Sequence, residues 1–121
     1  MARSGVFQQV DIAFSWHPGE VNSVSTEGTM SNYQICYHFR GVSAHAAMSP
    51  EQGRSALDAL ELMNIGVQFL REHVPTDTRI HYAITDTGGS APGTVQPYAQ
   101  AVYLLRGRTS PAADRPLRPG Q

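Results

Sequence analysis

Residues Asn32 to Arg40 read NYQICYHFR, and this run decides the fold. Tyr33, Ile35, Tyr37 and Phe39 fall on one side of an extended chain, and Asn32, Gln34, Cys36, His38 and Arg40 on the other. A period of two held over nine residues specifies a strand in a sheet with one covered face. The cover follows directly in the chain. Leu57, Leu60, Met63, Val67 and Leu70 recur at spacings of three and four, the single stripe of an amphipathic helix. Its span is expected to run from about Arg54 to Glu72, because Pro75 prevents its continuation. Ser49-Pro50-Glu51-Gln52 has the form of a capping box, with Ser at N-cap, Pro at N1 and Gln at N3, although Gly53 interrupts it.

Alternation resumes in RIHYAITD (Arg79–Asp86), with Ile80, Tyr82 and Ile84 on one face, and AQAVYLLR (Ala99–Arg106) makes a third strand. Between them TGGSAPGTVQP packs three glycines and two prolines into eleven residues, a loop long for a plain hairpin. The order strand, helix, strand, strand is that of the first four elements of a ferredoxin-like β-α-β-β-α-β domain. The expected class is therefore α+β, an incomplete ferredoxin-like unit whose second helix and fourth strand are missing.

Upstream, Val10 to Trp16 (VDIAFSW) is a short apolar run ended by His17-Pro18-Gly19, the pattern of a buried strand terminating at a turn. Residues 19–30 are small and polar, a connector. A domain boundary is expected there, with residues 1–26 before it and residues 27–106 forming the unit above. The last fifteen, GRTSPAADRPLRPGQ, carry three Pro, three Arg and almost no apolar side chain, so residues 107–121 are expected to be a disordered tail. Their composition resembles translation of another reading frame or a truncated gene.

Composition narrows the functions. The chain has 121 residues, a net charge of −1 and a pI near 6.5, a balance that argues against nucleic-acid binding. All nine basic residues are Arg. One cysteine, Cys36, excludes an internal disulfide, and no apolar run reaches the roughly 18 residues of a membrane span. MARSGVFQQVD lacks the apolar core of a signal peptide, so a cytoplasmic protein that does not enter membranes is expected.

Few residues can carry chemistry. His17 stands where a strand leaves its sheet, a position at which α/β proteins place reactive groups, and its imidazole could ligate a metal or merely cap the turn. A bound zinc needs at least three protein ligands. His45, in Ala44-His45-Ala46-Ala47, has methyl-sized neighbours that leave the ring accessible. It could stabilise an oxyanion or act as acid or base, or simply bond a backbone carbonyl. His38 and His81 lie on the polar strand faces, and His73 ends the helix, where a cation suits the dipole. Cys36 has no catalytic companions and reads as inert. Gly88-Gly89-Ser90-Ala91-Pro92-Gly93 lacks the spacing of a phosphate-binding loop and suits a mobile, substrate-contacting segment. Asp86 is expected to cap its turn through its own side chain.

VDIAFSWHP, GVSAHAAMSPEQGRSALDALELMN and ITDTGGSAPGTVQP occur in this order, and the set resembles peptidase family M twenty, on the branch of the aminobenzoyl-glutamate and amino-acid-conjugate amidohydrolases. The resemblance covers residues from about 5 to 106. It implies that Val10–Pro18 closes a metal-bearing catalytic domain, and that the following unit is the inserted lid through which such enzymes form a homodimer. On this resemblance His17 matches a metal ligand for zinc or manganese. His45 matches the lid histidine that reaches into the partner's active site and stabilises the oxyanion. The loop carrying Gly89, Ser90 and Gly93 matches a segment that contacts a small-molecule amide substrate. The remaining ligands and the general base have no counterpart here, and Gly93 stands where the family usually has Asn. Two functions are thus expected to compete: a piece of a metal-dependent amidohydrolase, inactive alone, and a stand-alone lid-like module for dimerisation or partner binding.

Overall fold

The computed structural model describes residues 2–26 and 28–108. Strand β1 (Ser31–Arg40) leads through a 3-10 turn at Pro50–Gln52 to helix α1 (Ala56–Leu70), and strands β2 (Arg79–Asp86) and β3 (Tyr98–Gly107) follow. The sheet is antiparallel with β3 in the centre, in the order β1-β3-β2. This is the expected β-α-β-β unit of an α+β fold. Among the described residues no second helix of that unit and no fourth strand appear. The expected disordered tail lies, beyond Arg108, outside them, and β3 extends one residue further than Arg106.

Register explains the core. Ile35, Tyr37 and Phe39 stand opposite Tyr103, Ala101 and Ala99, while Ile80 and Tyr82 stand opposite Leu105 and Tyr103. All these side chains therefore share one face, and α1 lies on it. Leu60 is fully buried there, with Ala56, Ile80, Ala99, Ala101, Tyr103 and Leu105 around it and Leu57, Met63 and Val67 packed alongside. The two small residues of β3, Ala99 and Ala101, admit the helix close to the central strand. Three tyrosines cross the sheet side by side: Tyr103 meets Tyr37 edge-on at 5.4 Å and stacks on Tyr82 at 5.1 Å. The buried Tyr103 hydroxyl donates to Asn64 Oδ1, so the polar group that α1 brings inside is satisfied. Burial, followed by the negative field of Tyr82, pushes the Tyr103 phenol up to about 12.

Two expectations need correction. The helix is not capped by Ser49, whose side chain makes no capping bond; Ser55 caps it, accepting from Asp58 N–H at 3.0 Å. Gly53 is extended, and Arg54 is tied to Val42 by two backbone bonds of 2.8 and 2.9 Å, so helix can begin only after that bridge. The second concerns Val10–Trp16, which forms no strand and is exposed throughout, with Phe14 95% and Trp16 85% exposed. A strand exists through hydrogen bonds to a neighbour, and the three-stranded sheet of the described residues gives this segment none.

Candidate functional site

The site is built where β1 and β3 run past the sheet. Beyond Arg40 the backbone stays beside the segment entering β3: Gly41 N–H donates to Pro97 O, Val95 N–H to Ala44 O and Ala46 N–H to Gly93 O, at 2.8, 3.0 and 2.9 Å. His45 itself forms an antiparallel bridge with Thr94. From the pair Arg40–Tyr98 to the pair His45–Thr94 the first segment advances five residues and the second four, so one extra residue is absorbed. Gly41 makes this possible. A Cβ there would lie 1.9 Å from Arg54 O and 2.9 Å from Ala56 N, because the chain passes between the helix start and the β3 approach. Gln96 closes the arrangement from below: its carbonyl accepts from Ala56 N–H at 2.8 Å, and its side chain accepts from Ser55 Oγ at 3.2 Å.

His45 is exposed, and its backbone carbonyl accepts from Met48 and Ser49 N–H at 3.2 and 3.0 Å. Ala47 N–H donates to the ring's Nδ1 at 3.3 Å. An Nδ1 that accepts carries no proton, so a neutral ring holds its proton on Nε2, which then can donate. That is the form in which an imidazole can stabilise a developing oxyanion.

The glycine loop is held at its base. Asp86 caps it as expected, its Oδ1 accepting from Gly88 N–H at 2.8 Å. Gly88 adopts φ 81°, and a Cβ there would meet Tyr98 O at 2.1 Å. Gly89, at φ 120°, and Gly93 have open space where a side chain would be, and Ser90 is exposed between them. Backbone pairing therefore brings Gly93 to His45, whereas Gly89 and Ser90 occupy the outer part of the same loop. Thr94 and Gln96 have no residue-type signal that marks them in the sequence. The glycine that follows β1 is the available sign that another backbone passes close by.

His17 belongs to a different part of the chain. It is exposed, and its Nδ1 donates to Pro18 O at 2.8 Å; in the neutral ring that tautomer puts the lone pair on Nε2, the nitrogen that could ligate. Among the described residues no three His, Cys, Asp or Glu side chains gather in a way that could hold a metal ion. One donor does not make a site, so the described residues do not fit the metal that the resemblance implies. His38 and Cys36 lie on the open face of the sheet, where His38 Nδ1 bonds Tyr98 Oη at 2.7 Å and Cys36 Sγ accepts from Gln100 at 3.3 Å. No helix among the described residues is long and apolar enough to cross a membrane.

No family model matches the chain. One sequence relative is a subunit of the p-aminobenzoyl-glutamate hydrolase of Escherichia coli, 48% identical over 106 residues, which are 88% of this chain and 22% of that protein. A Mus musculus Xaa-Arg dipeptidase is 28% identical over 106 residues, 88% of this chain and 24% of its own length. The fold is shared with a crystal structure of an aminobenzoyl-glutamate utilization protein from Klebsiella pneumoniae, at TM-score 0.59 and 23% identity, over 73% of this chain and 22% of that one. The chain thus spans about a quarter or less of the length of the relatives it matches. Over 88% of its length it is similar to the aminobenzoyl-glutamate hydrolases of peptidase family M twenty.

Proposed function

We propose that this chain is the lid portion of a metal-dependent amidohydrolase that cleaves the amide bond of N-acyl amino acids or p-aminobenzoyl-glutamate-like conjugates. The observation that carries the reading is the 48% identity over 106 residues to a p-aminobenzoyl-glutamate hydrolase subunit. The fold supports it by holding His45 on backbone paired with Gly93 and Thr94, with Nδ1 accepting from Ala47 N–H so that the neutral ring's proton is on Nε2. In this reading His45 donates to the oxyanion of a substrate bound by a partner subunit, and the loop of Gly89, Ser90 and Gly93 lies against the substrate. Residues 1–26 are the end of the catalytic domain, and His17 is one ligand of a zinc or manganese ion whose other ligands lie outside this chain. The homodimer and the cytoplasmic location belong to the same proposal.

Because the described residues assemble no metal site, the chain alone is proposed to be inactive. The test is a graft. Residues 10–106 replace the corresponding segment of the Escherichia coli hydrolase, and hydrolysis of p-aminobenzoyl-glutamate is followed. The graft is expected to turn over, and His45→Ala within it to lower kcat about 10²-fold or more, the usual effect of losing one oxyanion donor. A graft that turns over equally well without His45 would refute the assignment. The competing reading, a binding module without catalysis, draws on β1 and β2 as edge strands that, among the described residues, have no neighbour on their outer sides and could pair with a partner.

A further inference from the structure

Three segments meet at Gln96: the arm that carries His45, the base of the glycine loop, and the first turn of α1. Its carbonyl accepts from Ala56 N–H at 2.8 Å, and its side-chain Oε1 accepts from Ser55 Oγ at 3.2 Å. Ser55 Oγ in turn accepts from Asp58 N–H at 3.0 Å, so one hydroxyl caps the helix as acceptor and holds Gln96 as donor. On either side of Gln96 the backbone is paired with the arm. Val95 N–H donates to Ala44 O at 3.0 Å, and Pro97 O accepts from Gly41 N–H at 2.8 Å.

The glycines at the roots of the arm and the loop both close on this residue. A Cβ on Gly41 would lie 3.0 Å from Gln96 O, and one on Gly88 would lie 2.9 Å from Gln96 Cβ. Past Arg40 and Tyr98 the arm and its partner run on as a ribbon, with no third strand beside them among the described residues. A two-stranded ribbon is marginal in water without a further support. Here the support is the start of the 15-residue helix: the Val42–Arg54 bridge ties the arm to it, and Gln96 ties the opposite segment. We propose that Gln96 is a positioning residue, whose side-chain bond to Ser55 holds the His45 arm in one fixed relation to the glycine loop.

This rests on the oxyanion role proposed for His45 and can fail separately from it. In the graft described above, Gln96→Met is similar in size and removes the acceptor. It should lower kcat and kcat/KM equally, by about tenfold, the mark of a misplaced group that acts in the transition state. Gln96→Glu keeps an oxygen for Ser55 Oγ and should stay within about twofold of the unaltered graft. With His45→Ala already in place, Gln96→Met should lower kcat no further, because a residue that acts through His45 has nothing left to position. In the 121-residue chain itself, Gln96→Met should speed amide exchange at Val95 and Ala46 and leave the amides between β1 and β3 unchanged. An equal loss in both backgrounds, Glu as damaging as Met, or unaltered exchange at Val95 and Ala46 would overturn the positioning role. A graft sensitive to His45→Ala and indifferent to Gln96→Met would overturn it while leaving the oxyanion reading intact. A graft indifferent to His45→Ala would overturn both.

Discussion

Two segments of this chain carry the same pattern and behave differently. Val10, Ile12, Phe14 and Trp16 alternate with Asp11, Ala13 and Ser15 much as Tyr33, Ile35, Tyr37 and Phe39 alternate with polar residues. The second set is a strand whose inner side chains reach the core, and the first forms no strand and is exposed. Alternation states which side chains could be buried together. It does not supply the neighbouring backbone, and β1 has β3 along its whole length while Val10–Trp16 has no strand beside it among the described residues. The two candidate histidines inherit this difference. His45 is held by paired backbone, and among the described residues the His17 ring bonds the carbonyl of its neighbour Pro18.

The comparison is sharpest in the core. Leu60→Ala removes a fully buried side chain between α1 and β3 and should destabilise the chain by about 3 kcal/mol in chemical denaturation. Gly41→Ala should cost about 2 kcal/mol, by forcing apart the backbone that carries His45, with faster amide exchange at Val42 and Val95 as its signature. Tyr103→Phe leaves the buried Asn64 without its donor, at about 1 kcal/mol. The same tyrosine gives a pH test. Its phenol is raised from 10.0 to about 12, so its contribution is complete below pH 10 and declines as pH rises towards 12. Absorbance at alkaline pH should show one of the five tyrosines ionising late. At the other extreme, Phe14→Ser and Trp16→Ser should each change stability by less than about 0.5 kcal/mol. A loss of roughly 2 kcal/mol or more at Phe14 would break the comparison, because it would require a packed environment for that ring.

The strands and the helix stripe are legible in the sequence because periods of two and three to four survive any tertiary arrangement. Even there the helix start is ambiguous, since two serines compete for the cap and the Val42–Arg54 bridge decides for Ser55 over Ser49. At the site, His45 and the glycine loop stand out by residue type. Their proximity does not, because it comes from backbone pairing between segments nearly fifty residues apart, with nothing in the side chain of Thr94 to announce it.

The central position of β3 has a kinetic consequence. Both outer strands pair only with it, and the side-chain bonds that tie β1 to β3 span 60 to 76 residues. No hairpin links β1 to its partner, so the first strand must wait, unpaired, while helix and loops are laid down. The loop-closure entropy of that wait falls on the folding barrier. α1 can form early, but a sheet cannot nucleate until residues 98–107 are present, and a nascent chain stopped before Tyr98 would hold two strands with nothing between them.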